Sequence, residues 1–240
     1  MVNIFRFFLM PVIAIILIGC SDTSKELSCK EILELAYTNS SLNNFEKNKF
    51  KDLFSNRYPK YDVMFEDAAN ETNIEKNLLA AISFQESQWD PRAQSNMGVR
   101  GMMMVTLETA ALVGVEKRLN PEQNIKGGAR YFAILKEKNK IGPTEADKLS
   151  IILASYNLGP TNIIKIASLV NPNIQEVIWN EIKEELSTIN GKDLNLTDSE
   201  SYSRGQQAID YVNRVKDYYR LLSAHSCIAP KDQLTFSLGN

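Results

Sequence analysis

From about Tyr58 to Leu222 the apolar residues recur at helical spacing, and nowhere do they alternate as a half-buried strand requires. Residues 61–72 place Met64, Phe65, Ala68 and Ala69 on one face, and residues 75–88 do the same with Leu78, Leu79 and Ile82. Asn120-Pro121-Glu122-Gln123 reads as a helix start, with proline at the first helical position and Gln123 placed to reach back to the cap. Ile125, Ala129, Phe132 and Leu135 form the stripe behind it. Thr144-Glu145-Ala146-Asp147 is a second start, leading into Leu149, Ile152, Leu153 and Tyr156 before Gly159-Pro160 interrupts the chain. Further helices are predicted at 161–169, 173–186 and 200–222. There is no internal repeat and no glycine-rich phosphate loop. The pattern predicts a mainly α protein with one domain over 58–225. Residues 20–57, rich in Ser, Asn, Lys and Glu with one helical island at Cys29–Tyr37, read as a tether. The polar stretch 187–199 reads as a loop lying over a groove, and 226–240 as a C-terminal tail.

At 240 residues, 44% hydrophobic and 23% charged, the chain can bury a substantial core, and a net charge of −2 argues against a nucleic-acid partner. Residues 7–19 are thirteen uncharged, apolar residues behind Arg6. They are too short for a hydrocarbon core that needs roughly 20 helical residues, but they suit the apolar region of a secretory signal. Leu17-Ile18-Gly19-Cys20 resembles a bacterial lipobox. That resemblance implies a signal peptide over 1–19 and a lipidated Cys20, hence export to the periplasm and anchoring to a membrane. With Ser21 rather than aspartate behind the cysteine, it points to the outer membrane.

Candidate chemistry is sparse. The single histidine, His225, lies near the C-terminus and reads as a surface residue after the last helix, which leaves nothing for a Ser-His-Asp or Cys-His site. Cys29 and Cys227 are too far apart in sequence to form a metal-ligand pair, so neither metal nor cofactor is expected. Glu86 is the informative residue. It follows Ile82 by four and Leu79 by seven, and so shares the apolar face of a helix that Pro91 should end near Asp90. A carboxylate there, with no cation at helical spacing, has its pKa raised toward the range a general acid needs. The plain alternative is a solvated glutamate at the helix edge. Ser95-Asn96-Met97-Gly98-Val99-Arg100-Gly101-Met102-Met103-Met104 reads either as a turn entering a buried Met-rich segment or as backbone that approaches a ligand closely. Ala154-Ser155-Tyr156-Asn157-Leu158-Gly159 on its own is a helix end with Asn and Gly near the cap.

Taken in order, these segments resemble the catalytic domain of soluble-lytic-transglycosylase-type, goose-lysozyme-like proteins. Glu86-Ser87 matches the catalytic Glu-Ser at a helix end, and Gly98 to Met104 matches the Gly-x-x-Gly-Leu-Met-Gln-type loop. Ala154 to Gly159 matches Ala-Tyr-Asn-x-Gly, and Tyr211-Val212 matches a groove-lining Tyr-Val pair on a late helix. The Gly-Val-Arg-Gly run at 98–101 is similar to the membrane-bound lytic transglycosylase F branch, whose solute-binding-like module has no counterpart in the short tether ahead of Tyr58. The resemblance implies a lysozyme-like fold with a substrate groove, and Glu86 as the single acid and base. It further implies cleavage between N-acetylmuramic acid and N-acetylglucosamine, with the muramyl 6-hydroxyl closing a 1,6-anhydro ring. Ser95 and Tyr211 are expected at the sugar, Tyr156, Asn157 and Met104 along the groove, and Ser87 in support of Glu86. Met104 departs from the family's glutamine and removes an amide. The alternatives are a lysozyme-like hydrolase and a noncatalytic lipoprotein that binds peptidoglycan. With Cys20 assigned to the lipid and export placing the rest in an oxidising compartment, Cys29 and Cys227 are expected to pair.

Overall fold

The computed structural model describes residues 27–188 and 198–227, with the side chains of 198–203 left aside. The signal peptide, Cys20, most of the 187–199 loop and residues 228–240 of the tail lie outside the described residues. Among the described residues there are ten α-helices and no β-strand. They are α1 (Cys29–Asn39), α2 (Asn44–Asn56), α3 (Asp62–Thr72), α4 (Lys76–Ser87), α5 (Leu107–Val113), α6 (Pro121–Lys138), α7 (Glu145–Leu158), α8 (Pro160–Val170), α9 (Trp179–Thr188) and α10 (Asp198–His225).

The fold is built around α4. Eight consecutive residues, Asn77 to Phe84, are buried, so this helix has no solvent face over more than two turns. Ala80 and Ala81 leave room for close neighbours, and α4 packs against α10, α3 and α6. Helices α7 and α9 cover the rest of α10, and α8 packs on α7 and α9. The starts read from sequence have the expected caps: Asn120 Oδ1 accepts the Gln123 N–H and Thr144 Oγ1 accepts the Asp147 N–H. Gln123 does not reach back to its cap. Its side-chain oxygen accepts the N–H groups of Glu116 and Lys117, fastening the loop before α6. The helix predicted at 173–186 begins late. A 3₁₀ turn at Ile174–Glu176 comes first, and α9 starts at Trp179, whose N–H donates to Asp147 Oδ1.

The expected tether over 20–57 is wrong from residue 29 onward. Helices α1 and α2 are both closed by capping boxes, Ser28 with Glu31 and Asn43 with Glu46. Phe50 of α2 is fully buried, its ring centroid 5.0 Å from Phe84, 5.5 Å from Tyr218 and 6.0 Å from Trp89. One aromatic side chain thus turns a polar segment into part of the core. Helix α1 buries none of its residues and is held to α10 along its edge. Cys29 and Cys227 form a disulfide with Cα atoms 5.3 Å apart, the Tyr37 hydroxyl meets His225 Nε2 at 3.0 Å, and Ser41 donates its N–H and hydroxyl to buried Asp217. His225 is therefore not a free surface residue. It is the last residue of α10, half-buried and stacked on Phe54.

Phe50→Ala is expected to cost about 3–5 kcal/mol, the range for removing a buried phenylalanine. Denaturant unfolding measures it, and a loss below about 1 kcal/mol would mean that α2 does not share the core.

Candidate active site

Helix α4 ends at Ser87, earlier than Pro91 alone suggests, because Gln88 and Trp89 both take left-handed backbone conformations (φ 55° and 58°). Trp89 makes this reversal stable: its ring is fully buried and its Nε1–H donates to the Ala80 carbonyl at 2.9 Å. Arg57 Nη1 donates to the Gln88 carbonyl at 3.0 Å. Asp90 Oδ1 accepts the Arg92 N–H, a local helix-end role.

Glu86 sits in the last turn of α4, partly buried. Desolvation pushes its carboxyl pKa from the ordinary 4.5 up to about 7, against a smaller downward pull from the Tyr211 hydroxyl. Tyr211, on α10, is buried, and its hydroxyl completes no hydrogen bond of good geometry with the chain. Tyr156, on α7, donates its hydroxyl to the Met103 carbonyl at 2.9 Å. Burial raises the pKa of both tyrosines, with the Glu86 charge adding to it. Three helices thus bring one carboxyl and two phenols into a single electrostatic site.

The loop after α4 completes it. Gln94 pairs with Arg100 and Arg100 with Val105 in two isolated antiparallel bridges, so the chain doubles back twice in twelve residues. Gly98 and Gly101 have positive φ, and a Cβ at Gly101 would lie 2.2 Å from the Arg118 carbonyl oxygen, so only glycine fits there. Ser83 and Ser87 both donate to the Met102 carbonyl, at 3.1 and 2.8 Å. Asn124, fully buried on α6, accepts the Met103 N–H at 2.7 Å and donates to the carbonyls of Arg100 and Arg118. Gly128 lets α6 approach this loop, since a Cβ there would lie 2.4 Å from Met103 Cβ. Met102 and Met103 are buried, whereas Met104 is partly open and held at φ 47°.

The structure brings Glu86, Tyr156 and Tyr211 together and places Ser87 and Met104 at the loop beside them. Ser87 bonds to that loop rather than to Glu86. Ser95 lies in the outer turn, where its hydroxyl accepts the Val99 N–H, and Asn157 is exposed one position beyond Tyr156. Sequence reasoning missed Asn124, Arg118 and Trp89. Arg118 Nη1 donates to the carbonyls of Gly98 and Val105. The available signal was the pair Gly127-Gly128 inside an otherwise helical stripe, a mark of close backbone approach.

Residues 63–176 match the family model described as the transglycosylase SLT domain. The chain carries a transglycosylase SLT domain. It is similar to membrane-bound lytic murein transglycosylase F 1 of Alkalilimnicola ehrlichii, with 39% identity over 173 residues, 70% of this chain and 34% of that protein. Its similarity to membrane-bound lytic murein transglycosylase F of Saccharophagus degradans is 33% over 210 residues, 85% of this chain and 40% of that protein. The chain thus spans 34% and 40% of the length of these two relatives. Among solved structures, an inactive mutant of lytic transglycosylase Slt from Pseudomonas aeruginosa aligns with a TM-score of 0.53 at 16% identity, over 85% of this chain and 32% of that one. That likeness shows the shared mainly helical fold of SLT structures.

Within the SLT domain the raised Glu86 pKa has a stability consequence. The unfolded carboxyl ionises near 4.5 and the folded one near 7, so the folded state holds the proton more tightly and stability falls as pH rises through that window. Glu86→Gln removes the burden of a buried charge. The variant is expected to raise the melting temperature over the parent at pH 8 and to leave it nearly unchanged at pH 4.5. Calorimetry at the two pH values checks this.

Proposed function

We propose that the protein is a peptidoglycan lytic transglycosylase with Glu86 as its general acid and then its general base. What carries this reading is the placement of Glu86 at the buried end of α4 beside the partly buried Tyr156 and the buried Tyr211, where desolvation raises its carboxyl pKa to about 7. Most glycosidases that use water pair the acid with a second carboxylate. Asp90 is occupied at the helix end, and among the described residues the site offers a single acid, which suits a substrate that supplies its own nucleophile.

Protonated Glu86 donates its proton to the oxygen between N-acetylmuramic acid and N-acetylglucosamine as the C1–O bond breaks. The resulting carboxylate takes the proton of the muramyl 6-hydroxyl as that oxygen bonds to C1. The ring closes to 1,6-anhydro-muramic acid, no water is consumed, and Glu86 ends protonated. Holding the hydroxyl at C1 gives it a high effective molarity. Tyr211, whose buried hydroxyl has no good partner in the free protein, is suited to donate to the sugar at the scissile bond. Ser95, Met104 and Asn157 contribute to the groove wall, and Ser87 and Tyr156 hold the Met102–Met103 backbone. The lipobox assigns Cys20 as the lipid anchor, placing the enzyme in the periplasm at the outer membrane with peptidoglycan strands as its partner.

Glu86→Gln is expected to fold and to lose about 10²–10⁴-fold in rate on purified sacculi, the usual contribution of a positioned acid–base group. Mass spectrometry of the parent's products should find anhydro ends, each one water lighter than a reducing end. Reducing ends would instead make the protein a lysozyme-like hydrolase. Sacculus binding with no released fragments would make it a noncatalytic binder. The parent's kcat/KM should fall about tenfold per pH unit above roughly 7, as the acid is lost.

A further inference from the structure

A cavity of about 960 Å³ opens at the far end of α4 from Glu86, between the last turn of α3, the first turn of α4, the end of α6 and the start of α7. Ten residues of α4 separate Lys76 in its lining from Glu86, about 15 Å at the helical rise. Its floor is apolar: Ile74, Leu78, Phe132 and Ile152 are buried, and Leu149 is partly open. Its wall carries amides. Asn70 lies on α3, and Asn73 turns the chain from α3 into α4 with a left-handed backbone (φ 54°). Neither side chain makes a hydrogen bond among the described residues. Asn77 on α4 is only 4% exposed, and the one side-chain hydrogen bond it makes among the described residues is a long one, 3.5 Å from Nδ2 to Ser223 Oγ. A buried amide so poorly paired, at the wall of a cavity, suits a polar occupant.

The charges around the cavity are already matched. Lys76 pairs with Asp62 and Glu66 at 3.1 Å each, Lys148 pairs with Glu145 at 2.8 Å, and Glu75 accepts the Tyr219 hydroxyl. Lys136 is exposed at the rim, where water serves its ammonium. An ionic ligand would compete with these pairs, whereas a neutral polar one leaves them intact. Carboxamides over an aliphatic floor match an acetamido sugar. Its acetamido group has one N–H donor and one C=O acceptor, and a carboxamide meets both with its own acceptor and donors. The acetamido methyl and the C–H face of the ring supply apolar surface for the floor. Resting on the peptidoglycan reading above, we infer that this cavity is a second, noncatalytic site for an N-acetylated glycan segment. It holds the enzyme on the peptidoglycan network while Glu86 works on a bond elsewhere. Asn70, Asn73 and Asn77 take the acetamido and hydroxyl groups, and Leu78 and Leu149 take the ring face.

The test titrates the full chain with tri-N-acetylchitotriose, an uncharged oligomer of N-acetylglucosamine, and follows the asparagine side-chain NH₂ signals by NMR. Shifts are expected at Asn70, Asn73 and Asn77. Cellotriose, with the same β-1,4 backbone and no acetamido group, is expected to leave them in place. No shift at these amides, or equal shifts with cellotriose, would overturn the inference. The double variant Asn70→Ala/Asn73→Gly removes two amides at exposed positions, and glycine keeps the left-handed turn. Its rate on sacculi, relative to its rate on a soluble glycan tetrasaccharide, is expected to fall about tenfold below the parent's ratio, the scale of one or two lost hydrogen bonds. Because the ratio is taken within one preparation, partial unfolding moves both rates together and leaves it unchanged. A parental ratio in the variant would count against the second site. Shifts at the three asparagines with no strand cleaved by the parent would overturn the transglycosylase reading and support the cavity assignment. Cleaved strands with no shifts at the three asparagines would do the reverse.

Discussion

A helix buried on every side must end somewhere, and the way α4 ends organises the site. From Asn77 to Phe84 it has no exposed residue, so its position is set by contacts all around it. Trp89, locked by its bond to the Ala80 carbonyl, then turns the chain sharply away. Glu86 is caught in the last turn, rigidly held and still partly desolvated. Its raised pKa follows from that placement, since no neighbouring anion is needed to explain it.

Around this carboxyl, buried polar groups act through the backbone of one loop. Ser83, Ser87, Asn124 and Tyr156 each satisfy a backbone group of Met102 or Met103, and Arg118 clamps the loop at Gly98 and Val105. A loop so fully paired keeps its shape without regular strands. Three methionines in sequence thereby have separate roles: Met102 and Met103 fill the core, and Met104, at positive φ, faces the open side.

Helix α4, which carries Glu86, was legible from apolar periodicity alone, whereas in α7, which carries Tyr156, and in α6 periodicity agreed with the capping residues Thr144 and Asn120. Helix α1 was legible as the helical island at Cys29–Tyr37, but α2 was not, and neither was the docking of the two on the domain, since their composition is that of a linker and what orders them is distant: Phe50 against Phe84, Trp89 and Tyr218, and the Cys29–Cys227 bond. Helix α5 is only seven residues long, too short for periodicity to register, and its Thr106 cap and Gly114 stop stand out only in the structure. Glu86 was visible as a carboxylate on an apolar face. Asn124 was hidden in the first turn of an amphipathic helix, where an asparagine ordinarily faces water. Its role depends on a loop twenty residues earlier in the chain folding back over it.

The central claim is that burial alone keeps the Glu86 side chain protonated near neutral pH, ready to give up its proton. A ¹³C NMR titration of the glutamate carboxyl carbons, with Glu86 assigned by comparison with Glu86→Gln, measures this directly. The structure predicts one carboxyl titrating near pH 7 that is absent from the variant. If Glu86 titrates instead near its ordinary value of 4.5, the carboxyl is solvated and the account is contradicted.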